Sequence, residues 1–202
     1  MKKPESICVF GDSTAWGAWD LEKGGWVNRL WLFIGNRDDE YVELYNQSIS
    51  GGSTATILER FESEAKIRNA DALIFQSGAN DSCFISKEGP NNISIDIFEK
   101  NIREIIKRAK NITNRIVFLG LKNVDESKTT PVSWIDYHYL NSEIEKYDEV
   151  MQSICKDNNV LYLSMSGLLG NEDFEDGIHP NVSGHKIIFE RVRDFLVDKN
   201  WI

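Results

Sequence analysis

A serine hydroxyl becomes a useful nucleophile only when a base lies within hydrogen-bond reach and a third group fixes that base. The chain has three histidines to offer: His138, His179 and His185. His179 stands in Asp176-Gly177-Ile178-His179-Pro180, just ahead of a helical pattern. An aspartate three residues before a histidine in a tight turn can fold back onto Nδ1, leaving Nε2 free. Taken alone, that spacing suits a turn cap as well as a catalytic pair. His138, in Asp136-Tyr137-His138-Tyr139 on an expected helix, reads as a packing or surface residue. His185 lies six residues beyond His179, which is not a helical metal-ligand spacing, and no H-E-x-x-H is present, so no metal is expected. Ser13 follows an apolar run and Gly11-Asp12, where a hydroxyl can protrude or cap a helix. Gly51 can equally be a turn glycine, and Asn80 can equally tie its own loop.

The elements that must position these residues follow from periodicity. Short apolar runs at Ile7–Phe10, Tyr41–Tyr45, Ala72–Phe75, Ile116–Leu119 and Val160–Leu163 are rich in β-branched and aromatic residues and read as buried strands. Helical patterns lie between them at Trp26–Ile34, Thr54–Lys66, Ile95–Lys110 and Ile135–Lys156, with a last one at Val182–Val197. Alternating strand and helix with continuous apolar strands implies a parallel sheet covered on both faces. In such sheets ligands bind beyond the carboxyl ends of the strands. Gly11-Asp12-Ser13, Ser50-Gly51-Gly52 and Gly78-Ala79-Asn80-Asp81 directly follow the first three strands. If the strand order is 2-1-3-4-5, those clusters are neighbours on one rim.

Bulk properties limit the partners. The chain has 202 residues and a formal net charge of −9, which fits one domain over 1–202. That charge disfavours nucleic acid and anionic membranes. Cys8, Cys83 and Cys155 form no C-x-x-C pair and read as reduced thiols. No run approaches a membrane span or a signal peptide, so no stable membrane insertion is expected and the cytoplasm is the expected location.

Four blocks together resemble the SGNH (GDSL-type) hydrolase family: Val9-Phe10-Gly11-Asp12-Ser13, Asn46-Gln47-Ser48-Ile49-Ser50-Gly51, Gly78-Ala79-Asn80-Asp81 and Asp176-Gly177-Ile178-His179-Pro180. They occur in family order and bracket nearly the whole chain. The resemblance implies a three-layer α/β/α sandwich around a flavodoxin-like, five-stranded parallel sheet of order 2-1-3-4-5. It implies Ser13 as nucleophile, His179 as base and Asp176 as its orienting carboxylate. The oxyanion donors would be the backbone N–H groups of Ser13 and Gly51 and the side-chain amide of Asn80.

The activity implied is hydrolysis of carboxylic acyl esters through an acyl-serine, without metal or organic cofactor. Short-chain O-acyl esters, acetyl esters of sugars among them, are the expected small-molecule substrates. An acyltransferase on the same residues, or a catalytically silent carbohydrate-binding module, stand as alternatives. The sequence departs from the family pattern at Ser48, where glycine is frequent, at Gly52, where a polar residue is frequent, and at Thr14, where leucine or isoleucine is frequent. Trp16 and Trp19 are divided between lining a pocket and packing, while Trp26 and Trp31 are expected to pack.

Overall fold

The protein is described by a computed structural model covering residues 2–37 and 41–202. Five parallel strands form its centre: β1 (Ser6–Gly11), β2 (Glu43–Asn46), β3 (Ala72–Gln76), β4 (Ile116–Leu119) and β5 (Leu161–Leu163). They are parallel, as the sequence pattern predicts, and ordered β2-β1-β3-β4-β5, as the family resemblance implies. Side chains alternate across each strand. Ile7 and Val9 of β1 therefore join one apolar layer, while Cys8 and Phe10 join the other.

Helices α3 (Thr54–Ile67), α5 (Ile95–Ala109) and α7 (Asn141–Asp157) supply the layer containing Phe10. Helices α2 (Trp26–Gly35) and α8 (Val182–Asp198) supply the layer containing Val9. In α5 the buried Phe98, Ile102, Ile105, Ile106 and Ala109 form one stripe, and the charged residues between them face outward. Phe10, Phe75 and Phe118 occupy registered positions on β1, β3 and β4. Their rings stack in sequence, with centroids 5.7 and 4.9 Å apart. Each such pair contributes roughly 0.5–1.5 kcal/mol beyond simple burial. This ladder stiffens the three strands whose carboxyl ends carry the first and third motif blocks.

Two expectations are corrected. The helix expected from Ile135 begins at Asn141. Residues ahead of it spend their backbone groups elsewhere: His138 exchanges N–H···O bonds of 2.9 Å with Phe84, and Tyr139 N–H donates to Thr129 O at 2.9 Å. His138 is buried there, as a packing residue, with Nε2 3.0 Å from Asp136 Oδ1. Trp31, expected to pack, is half exposed and lines a groove of about 380 Å³ with Val27 and Leu44 between α2 and β2. Trp26, by contrast, is fully buried and its indole donates to Gln76 Oε1 at 2.8 Å.

Three short helices complete the carboxyl edge: α1 (Ser13–Trp16), α4 (Ala79–Ser82) and α6 (Glu126–Thr129). Among the described residues, no helix is long and apolar enough to cross a membrane. Cys8, Cys83 and Cys155 are free thiols and all are buried. Burial pushes Cys8 and Cys155 up to about 12 and Cys83 to about 11, so none is a ready thiolate.

Candidate active site

Ser13 opens α1 directly after β1, with Asp12 as the N-cap accepting the Thr14 N–H at 2.9 Å. The turn is too tight for a side chain at Gly11, where a Cβ would lie 2.6 Å from Ala15 Cβ and 2.7 Å from Gln76 O. At the far end of the chain, residues 174–180 fold back as a small antiparallel bridge between Phe174 and Pro180, ahead of α8. This turn brings His179 Nε2 within 2.8 Å of Ser13 Oγ, across 166 residues of sequence. His179 Nδ1 lies 2.7 Å from Asp176 Oδ2.

A carboxylate only accepts, so Nδ1 carries the imidazole proton and Nε2 is left to accept from the serine hydroxyl. Asp176 Oδ1 accepts the backbone N–H groups of Ile178 and His179 at 3.1 and 2.8 Å. Burial alone would raise this carboxyl. The His179 side-chain bond and the two N–H bonds outweigh it and hold Asp176 down at about 2.

The second and third blocks meet the first on the same rim. Ile49 N–H donates to Gly11 O at 3.0 Å, and Asn80 Nδ2 donates to Gly52 O at 2.9 Å. Asp81, fully buried, accepts from both Thr54 N–H and Thr54 Oγ1, which pins the start of α3 to α4. Burial pushes Asp81 up to about 6 against those bonds. The other amide atom of Asn80, Oδ1, accepts from the Tyr139 hydroxyl at 2.9 Å. Asn80 therefore has its nitrogen and oxygen assigned by two different neighbours, with one N–H still unspent. The N–H of Gly51, a residue at φ +75°, finds no acceptor among the described residues, nor does that of Ser13 at the head of α1.

The departures from the family pattern have local consequences. A Cβ on Gly52 would sit 2.8 Å from Ile49 O, so this loop conformation excludes a larger residue there. The Ser48 hydroxyl faces Gly11, is buried, and has no hydrogen-bond partner among the described residues. Thr14 is buried in α1.

Four side chains at the site carry no motif signal. Lys122, three residues past β4, is buried and donates from Nζ to Ile178 O at 2.6 Å, bracing the 176–179 turn. Burial pushes its ammonium down to about 8, opposed by Asp12 and Asp176. Trp134 stacks on the His179 imidazole, with centroids 6.0 Å apart and planes 23° from parallel. Trp19 donates its indole N–H to Asp176 Oδ2 at 2.8 Å. Tyr139 is the fourth. A reading of strand ends could have found Lys122, since ligand-binding side chains gather beyond the carboxyl end of each strand. Tyr139 falls in the stretch that periodicity reads as helix, and Trp134 lies just ahead of it.

A serine hydroxyl, imidazole and carboxylate in series, on the carboxyl edge of a flavodoxin-like sheet, define the geometry of a serine-type hydrolase. The sequence model of the GDSL-like Lipase/Acylhydrolase family matches residues 9–187, and the chain belongs to that family, whose members are carboxylic ester hydrolases. Among curated relatives, it is 22% identical to the GDSL esterase/lipase WDL1 of Oryza sativa subsp. japonica, over 96% of this chain and 78% of that protein. It is 21% identical to the isoamyl acetate-hydrolyzing esterase of Saccharomyces cerevisiae, over 93% and 84% respectively. Among solved structures, a lipase/acylhydrolase from Enterococcus faecalis superposes with a TM-score of 0.78 at 19% identity, covering 98% of this chain and 97% of that one. The acetylxylan esterase Axe2 from Geobacillus stearothermophilus gives 0.75 at 18% identity, covering 97% and 94%.

Proposed function

We propose that Ser13, His179 and Asp176 form the catalytic triad of an esterase acting on short-chain O-acyl esters, acetyl esters foremost. The observation that carries this reading is the unbroken relay from Ser13 Oγ through His179 to Asp176, at 2.8 and 2.7 Å. Ser13 Oγ attacks the acyl carbon while its proton passes to Nε2. The new C–O bond drives the carbonyl pair onto oxygen, and the resulting oxyanion meets the N–H groups of Ser13, Gly51 and Asn80. Collapse breaks the ester C–O bond, and the leaving alkoxide takes the proton from Nε2. Water then repeats the sequence on the acyl-serine, giving the carboxylic acid and free Ser13.

Two relatives bear names that specify acetate or acetyl esters, the yeast isoamyl acetate-hydrolyzing esterase and the bacterial acetylxylan esterase. Both support a small acyl group. The chain works as one domain on small molecules in the cytoplasm under this reading, where the three buried cysteines remain thiols. The test is labelling with an aryl alkylphosphonate, followed by peptide mapping, run beside hydrolysis of p-nitrophenyl acetate. One phosphonyl group per chain on Ser13 is expected, and Ser13→Ala should lose both labelling and turnover while melting as the parent does. Stoichiometric label on another serine, or an active Ser13→Ala, refutes the assignment.

A further inference from the structure

Trp19 holds a backbone conformation that its residue type resists. Its φ is +67°. The other described non-glycine residues with positive φ are Asn69, Asn159 and Asn200, and asparagine tolerates that region where a bulky side chain does not. Such strain persists only when the surroundings over-determine it, and it gathers at functional sites.

The surroundings here do so from both sides. On the amino side, His185 Nε2 donates to Ala18 O at 2.8 Å, while its Nδ1 accepts the Trp26 N–H at 3.3 Å. On the carboxyl side, the fully buried Asp20 carboxylate is clamped by Arg29 at 2.7 and 3.0 Å. It also accepts the N–H groups of Lys23 and Gly25 at 3.1 and 3.0 Å. The loop's ends meet backbone to backbone: a Cβ on Gly25 would lie 2.3 Å from Gly17 Cα. All this bracing delivers one group to one place. The indole N–H reaches Asp176 Oδ2, the oxygen that also faces His179 Nδ1, although the Trp19 ring is 48% exposed.

We propose that Trp19 is a positioning residue for the Asp176–His179 pair, and that the braced loop of residues 17–25 exists to aim its indole at the carboxylate. This inference rests on the triad reading above. With the indole bound, Asp176 accepts two hydrogen bonds on each oxygen, which fills its acceptor sites and stops the carboxylate rotating. The indole also draws charge from Oδ2, so the carboxylate grips a protonated imidazole less tightly than a bare one would. The charges facing His179 are Asp176 on its own turn and Asp12 at the head of α1, and Lys122 beyond β4 faces both of those carboxylates. Lys128 and Asp125, packed beyond Gly177, pair with each other.

Trp19→Phe keeps a ring and deletes the donor. On p-nitrophenyl acetate its kcat should fall about 10-fold with KM within about 2-fold, since an orienting bond acts on the chemical step. The acid limb of kcat/KM should move up by about half a pH unit, because an unshared carboxylate favours the protonated imidazole. In an Asp176→Asn background the same change should cost nothing further. A packing role would leave the acid limb where it was. Should Trp19→Phe not fold, the indole N–H resonances of the six tryptophans in 15N-labelled wild type are compared with those of Asp176→Asn, and one should shift upfield. Six unmoved resonances, or a Trp19→Phe enzyme with wild-type kcat and acid limb, overturn the proposal. Ser13→Ala run beside them separates the two claims: if it is inactive while Trp19→Phe is normal, the triad stands and only the role of Trp19 falls.

Discussion

The two sides of the rim spend their hydrogen bonds differently. On the base side, Asp176 is saturated before any substrate arrives, by Trp19, His179 and two backbone N–H groups. Lys122 fixes the carbonyl of Ile178 between them. On the proposed oxyanion side, the N–H groups of Ser13 and Gly51 meet no acceptor among the described residues, and Asn80 commits only one of its two amide protons there. The contrast follows from when charge appears. The carboxylate is negative throughout the cycle, so its partners can be complete in the resting protein. The oxyanion exists only near the transition state, so donors meant for it must wait unpaired, held in place by bonds made through other atoms.

The sharpest way to break this comparison is Asp176→Asn. An amide cannot accept the Nδ1–H while also satisfying the pattern of donors around it, so the imidazole is driven toward the wrong tautomer. We expect kcat to fall by about 10⁴ with little change in folding, the magnitude seen when a serine-protease aspartate is replaced in the same way. Steady-state kinetics beside a melting curve will show it, and a loss below about tenfold would mean the base side is not organised through this carboxylate. On the other side, Asn80→Ala removes the amide proposed to donate only in the transition state. It should lower kcat by about 10²–10³ and leave KM nearly unchanged. A folded Asn80→Ala enzyme with wild-type kcat would return Asn80 to loop-tying alone.

The legible and illegible parts of this molecule divide along similar lines. Ser13, Gly51, Asn80, Asp176 and His179 were each ambiguous alone, and they were nameable as a set because the four short blocks that hold them resemble the family's in order. The parallel, doubly covered sheet was legible because β1, β3 and β4 are buried on both faces and read as unbroken apolar runs, while its strand order came from the family resemblance. What escaped depends on contacts remote in sequence. Trp19 and Asp176 are 157 residues apart, and Lys122 and the Ile178 carbonyl are 56 apart. Tyr139 was misplaced for a different reason. The pattern from Ile135 onward continues the amphipathic period of α7, but the strand-like bridge from His138 to Phe84 captures the backbone before a helix can form.

That capture puts Tyr139 behind Asn80, and Tyr139→Phe tests whether the oxyanion side is held as well as left open. The tyrosine is buried, and burial drives its hydroxyl pKa far upward, so it remains a donor at any working pH. Removing the hydroxyl frees Asn80 Oδ1 while the bond to Gly52 O still restrains Nδ2. Only one of two restraints is lost, so kcat should drop about 10-fold, less than for Asn80→Ala, and the change should vanish in an Asn80→Ala background. Equal losses in both backgrounds would detach Tyr139 from the amide.

In wild type, stability should change least of all, because there pH moves the two sides in opposite directions. His185 braces the base side through Ala18, and burial lowers its pKa from 6.5 to about 4. The folded protein keeps this imidazole neutral, so its contribution is complete above pH 6.5 and is lost as pH falls toward 4. At about 1.4 kcal/mol per unit this amounts to roughly 3 kcal/mol. Asp81 braces the oxyanion side, and burial raises its pKa from 3.8 to about 6. Here the folded protein holds the proton more tightly, so the contribution is complete below 3.8 and is lost as pH rises through 6, by a similar amount. Wild type sums these opposing slopes and should change little between pH 6.5 and 4 from this pair. His185→Gln, whose amide offers a donor for Ala18 without titrating, should remove the loss and gain stability on acidification. Asp81→Asn should remove the compensating gain and lose stability more steeply than wild type over the same range. Urea midpoints measured at half-unit intervals will show the divergence. Parallel slopes in both variants would mean that neither group carries the pH dependence assigned to its side of the rim.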